Sequence, residues 1–141
     1  MTEIAILGCG MISGAYAPTI AQFDHLDLVA CADLDPGRAA EVAERHGIPE
    51  VLSIDELLAH PSVEVIVNLT PASAHEAVIR SILEAGKHAF SEKPLGVDRA
   101  GAGALVDLAA ERGLRLGCAP DTFLGTGLQT AAAAIDAGVI G

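Results

Sequence analysis

The stretch that decides the fold class is Ile4-Ala5-Ile6-Leu7-Gly8-Cys9-Gly10-Met11-Ile12-Ser13-Gly14. Its first four residues are all apolar, which is typical of a strand buried on both faces of a sheet. Glycines come directly after this strand, and residues with a helical pattern follow them. A strand that passes through a glycine-rich turn into a helix predicts a βαβ unit at the start of the chain.

Short apolar runs alternate with amphipathic stretches along the rest of the chain. The predicted strands besides Ile4–Leu7 are Leu28–Ala32, Val51-Leu52, Val63–Leu69, His88–Phe90 and Leu114–Cys118. Strands that alternate with helices pair in parallel through right-handed crossovers. The sequence therefore predicts an α/β fold with a doubly wound parallel sheet, which is a three-layer α/β/α Rossmann fold with strand order 3-2-1-4-5-6.

Polar caps and glycines mark the predicted helix boundaries. The residues that can cap helix N-termini are Asp35, Ser53, Ser73 and Asp98. Both serines have a glutamate three residues later, which is the spacing of a capping box. Glycines that can end helices in the left-handed conformation are Gly47, Gly86, Gly113 and Gly138. Because Pro18 removes a backbone hydrogen bond inside the first helix, we expect that helix to kink or end near it.

Composition and charge narrow the class of protein. The chain has 141 residues, of which 51% are hydrophobic and 19% charged, and its formal net charge is −11. These values predict one folded domain over residues 1–141, and the negative charge argues against nucleic acids and anionic membranes as partners. No run reaches the length of a transmembrane span, so we expect a cytoplasmic protein. Three widely spaced cysteines and isolated histidines predict neither disulfides nor a metal site.

The glycine turn fits the pattern G-x-G-x-x-G either with Ser13 in place of the third glycine or with the last glycine displaced by one residue, to Gly14. Gly8 permits the tight turn, and Gly10 lets the backbone approach a pyrophosphate without an intervening side chain. The N-terminus of the following helix offers amides and the positive end of its dipole to the phosphates. The alternative is a turn with a structural role only. The position of the motif favours a dinucleotide site formed by Gly8, Gly10, Met11 and Ile12.

An acidic residue ends the second predicted strand. Asp33 lies about 20 residues after the glycine turn, which is the offset expected for the carboxylate that binds the adenosine ribose. A carboxylate there repels the extra phosphate of NADP, and Leu34 supplies no positive charge to offset it. Arg38 lies close enough to contribute, and Asp33 could instead simply open the turn into the next helix. The sequence favours NAD over NADP, with cofactor contacts from Asp33, Leu34 and Arg38.

Two later segments, Asn68–His75 and Gly86–Leu95, each contain the carboxyl end of a predicted strand, where open α/β sheets bind ligands. With them, the sequence resembles the N-terminal domain of the glucose–fructose oxidoreductase and inositol dehydrogenase (Gfo/Idh/MocA) family. The resemblance covers essentially the whole chain. The matching features are the glycine turn, the Asp33 region, Thr70-Pro71 with His75, Glu92-Lys93-Pro94 after Ala85–His88, Ala119–Gly125 and Ile135–Gly141.

The resemblance implies a reversible hydride transfer between a nicotinamide and a hydroxyl-bearing carbon of a sugar or cyclitol. Lys93 would be the catalytic residue, beside the nicotinamide and the reacting hydroxyl, where it could orient the substrate and assist proton movement. Lys93 could instead be a solvated loop lysine, and His75 only a first-turn helix residue. The cofactor would also contact Asn68, Thr70, Pro71, His75, Glu92, Lys93 and Pro94.

The family's enzymes carry a second, largely antiparallel domain that supplies most of the substrate pocket, and nothing in residues 1–141 corresponds to it. We therefore expect this chain to bind NAD with negligible turnover, because it cannot enclose the nicotinamide or exclude water. The face that meets the second domain should expose apolar surface, which favours a homo-oligomer. Two other interpretations are a non-catalytic NAD(H)-sensing or regulatory module, and a Rossmann-like domain for a nucleotide sugar or adenosyl cofactor.

Overall fold

A computed structural model describes residues 1–120 and 122–140. Its strands are β1 (Thr2–Leu7), β2 (Leu26–Ala32), β3 (Glu50–Val51), β4 (Val65–Asn68), β5 (His88–Glu92) and β6 (Leu116–Ala119). They form one sheet in the order β3-β2-β1-β4-β5-β6, and every pair of neighbours is parallel. The predicted topology is thus confirmed. Asp121 and Gly141, which belong to the stretches that carry the family resemblance, lie outside the described residues.

Helices connect the strands throughout. They are α1 (Ser13–Ile20), α2 (Pro36–His46), α3 (Ile54–Ala59), α4 (His75–Glu84), α5 (Arg99–Glu111) and α6 (Thr126–Asp136). Short 3-10 turns at Ala72–Ala74 and Thr122–Leu124 precede α4 and α6. The first helix ends two residues after Pro18, as expected. No helix within residues 1–120 and 122–140 is both long and apolar enough to cross a membrane.

The central strand β1 contributes to a core on each face of the sheet. Ile4 and Ile6 belong to one core, which α1 and α2 complete with Ala17, Ile20, Ala39, Val42 and Ala43. Ala5 and Leu7 belong to the opposite core, which α3, α4 and α5 complete with Leu57, Ile79, Ile82, Leu83, Leu105 and Ala109. Alternate residues of one apolar strand therefore pack on both layers of helices, which explains why its sequence has no polar face.

Three of the four predicted N-caps are confirmed. Asp35 accepts hydrogen bonds from the Gly37 and Arg38 amides. Ser53 forms a complete capping box with Glu56, and Asp98 accepts from the Gly101 amide at 2.8 Å. The four predicted helix-ending glycines all have positive φ, between 66° and 78°. Local sequence signals therefore mark most of the helix boundaries.

The prediction that Ser73 caps a helix is wrong. Ser73 lies inside the 3-10 turn Ala72–Ala74, and α4 begins only at His75. The residue before α4 is Ala74, which forms no side-chain capping hydrogen bond. The physical reason is that the chain after Pro71 first closes a tight turn, in which the Ala74 amide donates to the Pro71 carbonyl at 2.8 Å. Ser73 therefore lies inside this turn, and the position directly before α4, where a serine could cap the helix, is taken by Ala74.

The last helix, α6, lies largely outside both cores. None of its described residues is buried. Several large apolar side chains on it and next to it are exposed: Phe123, Leu124, Leu128, Ile135, Val139 and Ile140. An apolar surface of this kind was expected from the sequence.

Candidate functional site

The carboxyl ends of the strands bring the predicted residues to one edge of the sheet. A cavity of about 800 Å³ lies along this edge, and an adjoining cavity of about 360 Å³ shares Ile12, Leu69 and Thr70 with it. Predicted residues that line the larger cavity are Gly8, Gly10, Met11, Ile12, Asp33, Leu34, Arg38, Thr70 and Pro71. Those that line the smaller one are Ile12, Thr70, His75, Glu92 and Lys93.

Gly8 and Gly10 differ in why they are glycines. Gly8 has a φ of 102°, and a Cβ atom there would lie 2.7 Å from backbone atoms of Leu69 and Thr70. The fold itself therefore requires glycine at this position. A Cβ atom on Gly10 would meet nothing within 4 Å, so the protein leaves open space there. Such space is what the close approach of a pyrophosphate needs.

The start of α1 borders the same space. Ser13, at the third glycine position, is buried and its hydroxyl donates to the Gly10 carbonyl at 2.6 Å. Ile12, the residue before the helix, lines both cavities and makes no side-chain capping hydrogen bond. The Ser13 and Gly14 amides already donate to the Gly10 and Met11 carbonyls at 3.1 and 3.3 Å, so the helix start offers an anionic ligand the positive end of its dipole rather than these two amides.

The Asp33 carboxylate joins the end of β2 to the glycine turn. Its Oδ2 accepts from the Cys9 amide at 2.7 Å, and its Oδ1 accepts from the Asp35 amide at 2.9 Å. The Arg38 guanidinium lies 3.4 Å from Oδ1 of Asp33 and 3.8 Å from the Asp35 carboxylate. The Asp33 side chain is only 9% exposed, against 52% for Arg38. Asp33 is thus a fixed acceptor at the cavity edge.

Cys9 fills the space beneath the glycine turn. Its side chain is buried, and the hydrogen bond with the Cys31 thiol, together with burial, raises the pKa of the Cys9 thiol well above its usual value. The nucleophilic form of cysteine is the thiolate. Cys9 is therefore a packing residue here.

A hydrogen-bonded network joins the ends of β4 and β5. Asn68 is fully buried, and its Nδ2 donates to the Ser91 hydroxyl at 3.1 Å. Its Oδ1 accepts from the Thr70 hydroxyl at 2.6 Å and from the Thr70 amide at 3.2 Å. Asn68 thereby orients Thr70, which lines both cavities.

His75 links the two segments that follow these strands. It is the first residue of α4 and is buried. Its Nδ1 lies 2.6 Å from the Pro94 carbonyl oxygen, and its Nε2 lies 2.8 Å from the Thr70 carbonyl oxygen. Because both ring nitrogens face main-chain oxygens, the imidazole ties the Thr70 segment to the Pro94 segment.

Lys93 follows the end of β5 in an exposed turn. Its amide donates to Oε2 of Glu92 at 3.1 Å, and its peptide bond to Pro94 is cis. Within the two described ranges, the Lys93 ammonium makes no hydrogen bond or ion pair of its own. An ammonium that lies next to a cavity and has no partner among the described residues can contact a ligand there.

The apolar wall of the larger cavity has no counterpart among the residues predicted from the sequence. Ile54 and Leu58 of α3 form part of it, together with Ala77 and Val78 of α4. Apolar residues three or four positions apart predict an apolar face on a helix. Such a face can line a cavity or pack in a core, so the pattern alone does not distinguish the two. Tyr16, whose hydroxyl reaches Glu92, was missed as well, because no motif marks it.

A doubly wound sheet with a glycine turn after β1, an acidic residue after β2 and a cavity at the carboxyl edge defines a dinucleotide-binding domain of the Rossmann class. A family model described as an oxidoreductase family with an NAD-binding Rossmann fold, Gfo/Idh/MocA, matches residues 2–119. The chain belongs to this family.

Individual relatives agree with this assignment. Trans-1,2-dihydrobenzene-1,2-diol dehydrogenase of Macaca fascicularis is 38% identical over 115 residues, which is 79% of this chain and 34% of that protein. Inositol 2-dehydrogenase/D-chiro-inositol 3-dehydrogenase of Lactiplantibacillus plantarum is 29% identical over 119 residues, covering 82% of this chain and 34% of the relative. The chain therefore spans about a third of the length of these relatives.

Solved structures show the same fold. KijD10, a 3-ketoreductase from Actinomadura kijaniata in complex with NADP and TDP-benzene, superimposes with a TM-score of 0.91 at 32% sequence identity. The match covers 99% of this chain and 43% of KijD10. The family model is described as NAD-binding, whereas KijD10, which has the same fold over this chain, is in complex with NADP.

Proposed function

We propose that this chain binds a nicotinamide adenine dinucleotide along the carboxyl edge of its sheet and supplies the cofactor half of an active site. The proposed reaction is a reversible hydride transfer between the nicotinamide and a hydroxyl-bearing carbon of a sugar or cyclitol. The observation that carries the proposal is the continuous line of groups from Asp33 past Gly10 to Lys93 along two adjoining cavities.

Each part of the two cavities matches a part of such a cofactor. The open space over Gly10 and the start of α1 suit the pyrophosphate. The apolar wall that includes Ile54 and Leu58 suits the adenine ring, and the Asp33 carboxylate can accept hydrogen bonds from ribose hydroxyls. The nicotinamide end would then reach the smaller cavity, which Lys93 lines.

The proposed cofactor is NAD rather than NADP. Two backbone amides hold the Asp33 carboxylate in place, so it cannot turn away from a ligand. A phosphate on the adenosine ribose would lie against this negative charge. Arg38 is the cation that could offset the repulsion, but it is already paired with Asp33 and Asp35.

Lys93 is the proposed catalytic residue. The nicotinamide, when bound, supplies the position that accepts or releases the hydride. The Lys93 ammonium can donate a hydrogen bond to the substrate oxygen, which orients the reacting carbon, and in the direction of reduction it can pass its proton to that oxygen as the oxygen becomes a hydroxyl. Asn68 and His75 act indirectly in this scheme, because they hold Thr70 and Pro94 in place.

Turnover would need a second domain. Residues 1–141 are proposed to be the cofactor domain, since they span about a third of the matched relatives. The Lys93 side chain is exposed, so water reaches the place where the hydride would move. A substrate domain outside these residues would cover that place and bring the sugar, and the chain alone would bind cofactor without measurable turnover.

Two further features of the proposal concern assembly and location. The exposed apolar side chains around α6 would favour a homo-oligomer, which light scattering at increasing concentration would detect. The three cysteines are free thiols, as is usual in a reducing compartment, and this supports a cytoplasmic location.

The test of the proposed function is calorimetric titration of the chain with NADH, comparing Gly10→Leu with Gly103→Leu. Both glycines have open space around the missing Cβ atom, but Gly103 lies on α5 away from the cavities. We expect Gly10→Leu to weaken NADH binding by about a hundredfold, equivalent to about 2.7 kcal/mol, because the side chain fills the pyrophosphate position. Gly103→Leu should bind like the unmodified chain. Equal affinities for the two variants would overturn the proposal.

A further inference from the structure

Tyr16 connects the glycine-turn helix to the end of β5. It is the fourth residue of α1, and its half-buried ring packs against Phe90 with 6.4 Å between ring centroids. Its hydroxyl donates to Oε1 of Glu92 at 2.8 Å. This contact joins two residues far apart in the sequence, of which Glu92 lines the smaller cavity, where the nicotinamide end is proposed to lie.

The Glu92 carboxylate is held through both of its oxygens. Oε1 accepts from Tyr16, and Oε2 accepts from the Lys93 amide at 3.1 Å. A hydrogen bond to an ionised carboxylate is stronger than one between neutral groups. The bridge therefore constrains the Glu92 side chain and, with it, the direction in which the backbone leaves β5.

The bridge has a consequence for the Lys93 ammonium. A glutamate next to a lysine can pair with it directly, which would neutralise the cation. Here the Glu92 carboxylate is engaged by Tyr16 and by the Lys93 amide instead, and the ammonium makes no ion pair within the described residues. The Tyr16 ring can pack on Phe90 without its hydroxyl. The role of the hydroxyl is therefore its hydrogen bond to the Glu92 carboxylate.

We propose that Tyr16 is a positioning residue for Lys93. It holds the Glu92 carboxylate away from the ammonium and so keeps that ammonium available to the nicotinamide and the substrate oxygen. Because Tyr16 lies on the helix whose start borders the proposed pyrophosphate position, it also links that position to Lys93. This inference rests on the proposed role of Lys93 beside the nicotinamide.

The test compares the affinity of the chain for NADH with its affinity for ADP-ribose, which lacks only the nicotinamide. The measured quantity is the ratio of the two dissociation constants, and the variants are Tyr16→Phe and Lys93→Met. Tyr16→Phe keeps the ring and removes the hydroxyl. We expect it to weaken NADH binding by about fivefold, at the lower end of measured coupling between sites. ADP-ribose binding should stay unchanged, which a general loss of structure would not allow.

Thr19→Val is the matched control, because it removes a hydroxyl of α1 that donates only to the helix backbone. It should change neither affinity. A double variant, Tyr16→Phe with Glu92→Gln, should bind NADH no more weakly than Glu92→Gln alone, because the effect of Tyr16 passes through Glu92. Should Tyr16→Phe fail to fold, Tyr16→Leu keeps an apolar side chain against Phe90, removes the same hydroxyl and is expected to give the same selective loss of NADH affinity.

The outcomes separate this inference from the function on which it rests. If Lys93→Met leaves the ratio of dissociation constants unchanged, the proposed role of Lys93 is wrong and the inference is lost with it. If Lys93→Met lowers NADH affinity selectively while Tyr16→Phe does not, the role of Lys93 stands and only the positioning role of Tyr16 is overturned. A selective loss in both variants supports both.

Discussion

The carboxylate of Asp33 lies between the glycine turn and Arg38, with its oxygens held by the Cys9 and Asp35 amides. In the proposed complex its negative charge faces the adenosine ribose. That charge would attract ribose hydroxyls and repel a phosphate in the same place. The choice between NAD and NADP would therefore depend on one side chain and on how firmly the backbone holds it.

Replacement of Asp33 by asparagine tests this role. Asparagine keeps an oxygen acceptor for the Cys9 amide but carries no charge. We expect NADPH affinity to rise relative to NADH by about tenfold, because two unit charges about 4 Å apart repel by about 1–4 kcal/mol near a protein surface. Titration with both cofactors measures the ratio, and Asp107→Asn on the exposed side of α5 is the control. An unchanged ratio in Asp33→Asn would mean that the carboxylate does not face the ribose.

Residues inside local motifs could be predicted from the sequence, whereas residues that act through distant contacts could not. Gly8 and Asp33 follow strands directly, so their positions along the chain place them at the carboxyl edge. Tyr16 meets a partner 76 residues away, and the His75 ring meets carbonyl groups of two separate segments. Contacts of this kind depend on how strands pair, which a single sequence does not specify at the level of atoms.

At the scale of elements, two serines with the same sequence signal behave differently. Ser53 accepts from the Glu56 amide, and the Glu56 carboxylate accepts from the Ser53 amide and hydroxyl. These hydrogen bonds lower the pKa of Glu56. Ser73 sits in a 3-10 turn and caps nothing. The serine-to-glutamate spacing indicates a helix start only where the chain does not turn first.

Substitution of each serine by alanine should separate the two cases. Ser53→Ala is expected to lower the free energy of unfolding by about 1 kcal/mol, the usual effect of losing an N-cap. Ser73→Ala should leave it nearly unchanged. Urea denaturation measures both. The pKa of Glu56 is lowered in the folded chain by its hydrogen bonds with Ser53. The loss in free energy of unfolding caused by Ser53→Ala should therefore be complete at neutral pH and become smaller as the pH falls through that lowered pKa. Equal losses for both serines would contradict this account.

The exact limits of strands were the least predictable part of the elements. Val63–Leu69 was predicted as one strand, but β4 spans only Val65–Asn68. Val63 and Leu69 are buried, so they look like strand residues, yet they lie just outside β4 on either side. Burial produces the apolar pattern, and that pattern extends past the residues that pair in register with the neighbouring strands.

At the scale of the whole molecule, the order of the strands places the site. The chain crosses from one side of β1 to the other between β3 and β4, and ligands of doubly wound sheets bind at that switch point. The fold could be predicted completely at this level, because strand–helix alternation and right-handed crossovers leave few topologies. What the sequence could not show is which apolar residues face a cavity rather than a core.

The measurement that tests the central claim most directly is an amide chemical-shift titration of the isotope-labelled chain with NADH. We expect the largest changes along the carboxyl edge, at Gly10, Ile12, Asp33, Thr70 and Lys93. Amides at the opposite end of the sheet, such as those of Gly86 and Gly113, should not move, because they lie beyond the reach of a ligand in the two cavities. Shifts confined to that opposite end or to α6, or no shifts at saturating NADH, would contradict the assignment of this edge as the dinucleotide site.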